Sequence, residues 1–137
     1  MALDLDQALA YKLSNTAAIQ TICGTRIYPL DLPATVTLPA MTYQLISAPI
    51  SATMDEAAGA SLAHPRYQID GWAGSVSGAT ALAAAVHTAL HGFKGIITSG
   101  SSSLTVQSCL RVDKRHNKDP ETGLYWVSQD FMIWAIE

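Results

Sequence analysis

The sequence predicts an α+β fold: an antiparallel β-sheet with long hairpin arms and helices packed on one face. Three observations lead there. Leu5, Leu9 and Leu13 recur at helical spacing, as do Ala79, Leu82, Ala83, Val86 and Leu90 further on. Several other segments alternate apolar and polar side chains with the period of two that half-buried strands need. Two polar, turn-rich stretches, 54–65 and 114–123, fall between such strands, where hairpin connections belong. The 137 residues suit one domain, 1–137. The element order α, α, β, β-arm-β, α, β, β-arm-β is met most simply by helices lying on one side of a sheet.

Residues 3–14 form the first predicted helix, with Asp4 and Asp6 in the turn where the helix dipole favours acids. Asn15-Thr16 reads as a break and a new N-cap. A second helix over 17–22 turns Ala18, Ile19 and Ile22 inward and stops at Gly24. Arg26-Ile27-Tyr28-Pro29 is a short extended piece, and 30–39, which holds Pro33 and Pro39, is loop. Residues 40–53 read as a long strand in which Pro49, lacking an N–H, marks an edge position or a bulge. After the first arm, 66–73 returns as a strand with Tyr67, Ile69, Gly71 and Ala73 on one face. The helix over 77–91 has an apolar face made mostly of alanine, so it can lie close against a sheet, and Gly92 ends it.

A short strand over 94–98 follows, then a Gly100 turn flanked by serines. The strand over 104–113 places Leu104, Val106, Ser108, Leu110 and Val112 on one face. The second arm ends in turn chemistry at Asp119-Pro120 and Gly123. The last strand, 124–136, has Tyr125, Val127, Phe131 and Ile133 on one face and Trp126, Met132, Trp134 and Ile136 on the other. Apolar side chains on both faces predict a central strand covered on both sides.

Hydrophobic residues make up 49% of the chain and charged residues only 14%, which argues against disorder and for surfaces that other subunits cover. The net charge of −3 provides no basic field for holding a nucleic-acid backbone, although a mildly acidic wall would let DNA slide past. No run approaches the ~20 apolar residues of a membrane span, so no membrane partner is expected. The opening Met1-Ala2-Leu3-Asp4 has no basic region of the secretory type, which predicts a protein made in the cytosol. In that reducing setting Cys23 and Cys109 read as buried thiols.

Candidate chemistry is thin. His87 and His91 stand at i, i+4, a spacing used by zinc helices, but Thr88 replaces the glutamate of such motifs and no third ligand is evident. His91 is expected to face solvent or a partner, and His87 the boundary. Gly100-Ser101-Ser102-Ser103 lacks the second glycine of a nucleophile elbow and reads as a turn. Cys109 with His116 or His64 could form a thiol–imidazole pair, but Cys109 lies mid-strand among alternating residues and reads as a packed thiol. Asp55-Glu56, and Asp119 with Glu121, are paired acids on exposed arms, where solvation leaves them little acid–base role. The one basic cluster, Lys114, Arg115, His116 and Lys118, is followed at once by acids. Such mixed strips suit docking by complementary charge, and a solvated hairpin tip is the competing reading. No catalytic residue, metal ligand or cofactor is predicted. Asp55, Glu56, His64, Arg66, Lys114, Arg115, His116, Lys118, Asp119 and Glu121 are the candidate partner-interface residues.

Several motifs in order resemble the tail-completion, or tail-terminator, proteins of long-tailed bacteriophages and related gene transfer agents. The N-terminal helices lead into Gly24-Thr25-Arg26-Ile27-Tyr28-Pro29. Leu38-Pro39-Ala40-Met41-Thr42-Tyr43 resembles the family's Leu-Pro-x-x-x-Tyr step into its long strand. Arg66-Tyr67-Gln68-Ile69-Asp70-Gly71-Trp72 is similar to its Arg-x-Gln-apolar-Asp-x-aromatic strand. The alanine-rich helix with Ala79 and 83–85, ending at Leu90-His91-Gly92, follows. The second arm is less typical of the family. The resemblance implies a structural assembly protein, not an enzyme. It would form a homo-oligomeric ring, commonly six-fold, at the head-proximal end of a tail tube. The ring would end tube growth, meet the tail tube protein and the head–tail connector, and let DNA pass through its lumen. Such a protein would reside in the virion neck after assembly in a bacterial cytoplasm. Another neck or tail-tube component of the same particle is the alternative, and a small ligand-binding domain the alternative from a different class.

Overall fold

A computed structural model of the chain describes residues 5–47, 50–51 and 62–136. Helices α1 (Leu5–Ser14) and α2 (Ala17–Cys23) open the fold. Leu5, Leu9 and Leu13 are buried as their spacing predicts, joined by Ala8. Asp6 accepts a hydrogen bond from the Tyr67 hydroxyl, which fixes α1 to the sheet. Thr16 sits at the N-cap position of α2 but makes no capping bond. Its hydroxyl donates back to the Lys12 carbonyl at 2.7 Å, so it finishes α1 instead. Ala18, expected inward, is exposed, because in so short a helix only the i, i+4 pair Ile19 and Cys23 faces the core fully.

The strands are β1 (Ile27–Pro29), β2 (Ala40–Ser47), β3 (Ile50–Ser51), β4 (Leu62–Ala63), β5 (Arg66–Ala73), β6 (Gly95–Ser99), β7 (Ser102–Lys118) and β8 (Tyr125–Ile136). They make one sheet in the order β1-β2-β5-β8-β7-β6. The short β3 and β4 continue the lines of β2 and β5. Every pair is antiparallel except β1 with β2, so the sheet is mixed rather than purely antiparallel. β8 is central as predicted, flanked by β5 along Tyr125 to Met132 and by β7 along nearly its whole length. The expectation for Pro49, and that for the body of the first arm, lie outside the described residues.

Helix α3 (Val76–Leu90) packs on the same side of the sheet as α1 and α2. Ser75 caps it, its hydroxyl accepting from the Gly78 N–H at 3.1 Å. All five predicted inward residues, Ala79, Leu82, Ala83, Val86 and Leu90, are buried. Leu82, Val86 and Leu90 join Tyr67, Ile69, Phe131, Ile133, Leu104 and Val106 of the sheet, while Ala79 and Ala83 pack with Ala73 and Val127. Gly71 lies directly beneath this helix, and a Cβ there would come within 3.1 Å of Leu82. Both cysteines are buried and unpaired, and burial pushes the Cys109 thiol up to about 12.

β7 departs from the predicted strand in two ways. It runs on through Lys118, so half of the second arm is strand, paired residue by residue with β8 up to Lys118 opposite Tyr125. Its pairing also slips between Val106 and Ser108 and again between Arg111 and Asp113. Gln107 and Val112 have no partner, and each works as a one-residue bulge. The first bulge reverses which residues face the helices. Leu104 and Val106 point inward, but beyond the bulge Cys109 does so, and Leu110 and Val112 are left 46% and 48% exposed. Simple alternation placed those two with Leu104 because it cannot register an inserted residue.

Candidate functional site

The face of the sheet away from the helices carries a chain of polar and aromatic side chains that links the two hairpins. Cross-strand register builds it. Gln68 lies opposite Asp130, Asp70 opposite Ser128, and Trp72 opposite Trp126; on the other flank Asp113 lies opposite Asp130 and Arg115 opposite Ser128. Asp130, 5% exposed, is the hub. Arg66 donates to its Oδ2 through Nη2 at 2.7 Å and Nε at 3.2 Å, and Arg115 donates to its Oδ1 through Nη2 at 3.2 Å. Arg115 is also ion-paired to Asp113. Arg66 begins the strand that follows the first arm, and Arg115 belongs to the second arm, so one buried carboxylate ties the two together.

The rest of this face is satisfied in the same way. Gln68 Nε2 donates to Asp70 at 3.0 Å, Trp72 Nε1 to the Thr42 hydroxyl at 3.0 Å, and Asn117 Nδ2 to the Ser128 hydroxyl at 3.3 Å. Trp72 and Trp126 stack with ring centroids 4.6 Å apart. His64 stacks on Trp134 at 4.4 Å, extending the aromatic path towards the first arm. The two central acids are driven in opposite directions. Burial raises the Asp70 carboxyl, and the hydrogen bonds from Ser128 and Gln68 only partly offset it. Burial acts on Asp130 as well, but the hydrogen bonds from Arg115 and Arg66 outweigh it and hold that carboxyl below the usual range.

The predicted basic cluster is divided between the two faces. Alternation along β7 sends Arg115 into the Asp130 network, while Lys114, His116 and Lys118 lie opposite Gln129, Val127 and Tyr125 on the helix side. Among the described residues neither Lys118 nor His116 has a carboxylate partner. Lys118 Nζ instead sits 5.3 Å from the centre of the Tyr125 ring. At the tip, Asp119 builds the turn: its carboxylate accepts from the Glu121 N–H at 3.0 Å and the Thr122 hydroxyl at 2.9 Å, and these bonds lower its pKa. Gly123, at φ +72°, takes the left-handed step that closes the hairpin. Glu121 is exposed beside it. Asp55 and Glu56 lie outside the described residues.

Between the start of α3 and this hairpin is a cleft of about 240 Å³ whose helix-side lining includes Val76, Ala79, His116, Lys118, Tyr125 and Val127. The sequence reading passed over this cleft and over Asp130. The Ser128-Gln129-Asp130 run inside an otherwise apolar strand was the available signal, since consecutive buried polar residues need partners. Gln129 finds them on the helix side, donating to the Ala83 carbonyl at 2.9 Å and accepting from Arg111 Nη1 at 3.1 Å.

His87 and His91 stack on each other at 4.7 Å, and His91 Nδ1 accepts from the Arg111 N–H at 3.0 Å, which uses the ring as a brace for β7. As expected, His91 is exposed and His87 half-buried. Among the described residues no three His, Cys, Asp or Glu side chains converge as metal ligands. No described helix is long and apolar enough to cross a membrane.

Among the described residues, three helices on one face of a mixed sheet, with its central strand drawn out into a long hairpin, define an α+β fold whose prominent features are surfaces rather than a deep pocket. The family model described as tail completion protein gp17 matches residues 7–136. The chain belongs to that tail-completion family. Its fold is shared by a solved chain from the "Virion of native gene transfer agent (GTA) particle", with a TM-score of 0.70 and 18% identity over 97% of this chain and 95% of that one. No curated protein sequence matches the chain.

Proposed function

We infer that the protein is a structural part of a tailed-phage-like particle that forms a homo-oligomeric ring, six-fold in the commonest arrangement, at the head-proximal end of the tail tube. There it ends tube polymerisation and presents a face to the head–tail connector, while DNA passes through the lumen without sequence-specific contacts. The family match over residues 7–136 carries this reading. The likeness to a chain of a gene transfer agent virion supports a place in the particle. The long β7–β8 hairpin, whose helix-side Lys118 lacks a carboxylate partner among the described residues, suits contact with a neighbour. A head-to-tail interface whose rotation closes would make the ring.

The test is to locate the protein in intact particles by electron microscopy with a labelled copy. Label at the head–tail junction is expected. Label spread along the tube would make it a tube subunit, and its absence from the junction would sink the reading. Deleting 114–121 is a poor test of the second arm, because Lys114 to Lys118 pair with Gln129 to Tyr125 and the deletion strips β8 of its ladder. Charge reversal leaves that ladder in place.

A further inference from the structure

We propose that the cleft between α3 and the β7–β8 hairpin receives the Met54-Asp55-Glu56 segment of a second copy, so that each subunit is held by its neighbour's first arm; this rests on the ring reading above. The cleft has the chemistry for such a segment. Its helix-side lining is largely apolar, Ala79 with Tyr125 and Val127, and at its edge Val76 is 54% exposed. The charge at its rim is positive: Lys118 stands there beside the His116 ring, no acidic side chain is among its lining residues, and no described carboxylate pairs with Lys118. A matching ligand is an apolar side chain followed at once by acids. The chain contains that pattern at Met54-Asp55-Glu56. An unbranched methionine adapts to an irregular apolar slot, and the two acids would meet the Lys118 ammonium and an N–H of the His116 ring.

Geometry makes the contact intermolecular. The first arm leaves the sheet where Ser51 and Leu62 pair, and Leu62 lies opposite Ile136 at one end of β8. The cleft is at the other end of β8, beside Tyr125. A twelve-residue strand at ~3.3 Å per residue separates them by roughly 35 Å. Ten residues, 52–61, join Ser51 to Leu62. A loop of that length that returns to its start extends at most about 17 Å. No copy can therefore fill its own cleft. Arm and cleft at opposite ends of one molecule are the two halves of a head-to-tail contact, the kind that closes into a ring.

Single-cysteine variants of the full chain test this, because native Cys23 and Cys109 are buried. Glu56→Cys and Lys118→Cys proteins are mixed, assembled and mildly oxidised. A disulfide-linked dimer that needs both variants is expected, and the double variant should give a ladder ending at the ring size. Lys118→Glu should reduce ring yield roughly tenfold, and adding Glu56→Lys should restore it. Rings that form normally in electron micrographs without the mixed disulfide overturn the docking but leave the ring reading standing. So does a disulfide within one copy. A wild-type protein that forms no ring in assembled particles overturns both.

Discussion

Asp130 and Asp70 occupy adjacent strands on the same face of the sheet, and their surroundings set their protons in opposite senses. Asp130 is buried between Arg66 and Arg115, which hold its carboxyl low. A carboxyl with a depressed folded-state pKa contributes stability that is present above its unfolded value near 3.9 and lost as pH falls through the folded value. Asp70 is raised by burial, so its contribution runs the other way: it favours the fold in acid and is lost as pH rises through its folded value. Asp130→Asn should therefore cost about 1–2 kcal/mol at pH 7. The figure is kept modest because Arg66 and Arg115 remain 36% and 41% exposed and can be rehydrated. Asp70→Asn should raise stability at pH 7. The Asp70→Asn difference should be small by about pH 4. The Asp130→Asn difference should persist there and shrink only as pH falls further through the depressed folded-state value, as urea unfolding at neutral pH, about pH 4 and below it would show. A smaller Asp130→Asn cost at pH 7 than in acid would refute the clamp. The clamp itself could not be read from the sequence, since it depends on which β5 and β7 residues flank β8.

At the level of elements, α3 was the most legible part of the chain, because an alanine-rich face at a 3.6-residue period specifies both a helix and a close approach. Gly71 completes that approach from the sheet side. Glycine in a strand interior weakens pairing, and here the absent side chain leaves room for Leu82. Gly71→Val should cost about 1–3 kcal/mol by overpacking, and Gly71→Ala less, because Leu82 can shift by a few tenths of an ångström. Thermal unfolding of the two variants checks the order, and pairing Gly71→Val with Leu82→Ala should recover part of the loss. β7 was the least legible element. Its alternation was real, but two inserted residues changed the face on which it was expressed. That left Leu110 and Val112 outside, while ordinary alternation beyond the second bulge set Arg115 on one face and Lys114, His116 and Lys118 on the other.

For the molecule as a whole, the helix layer, the central β8 and the hairpin positions followed from periodicity and turn residues. Strand order, the parallel β1–β2 pair and the cleft did not, because they arise from contacts between segments distant in sequence. The two bulges in β7 also bear on which changes in length the chain can absorb. The partners on β8 run without a gap from Ile136 to Tyr125 while β7 skips Gln107 and Val112. Deleting Gln107 would thus preserve every cross-strand pair and every facing, and only the local bend and extra twist would go. Deleting Ser108 instead leaves Gln107 to take its place opposite Trp134, which changes a side chain on the outer face. The ΔGln107 protein should fold with nearly native stability and the same exposed residues, yet carry a straighter hairpin that misplaces its tip, so that scattering profiles change more than melting temperature does. Gln107 and Val112 are in this sense shape without chemistry: they decide where the hairpin tip arrives, and none of the contacts it makes.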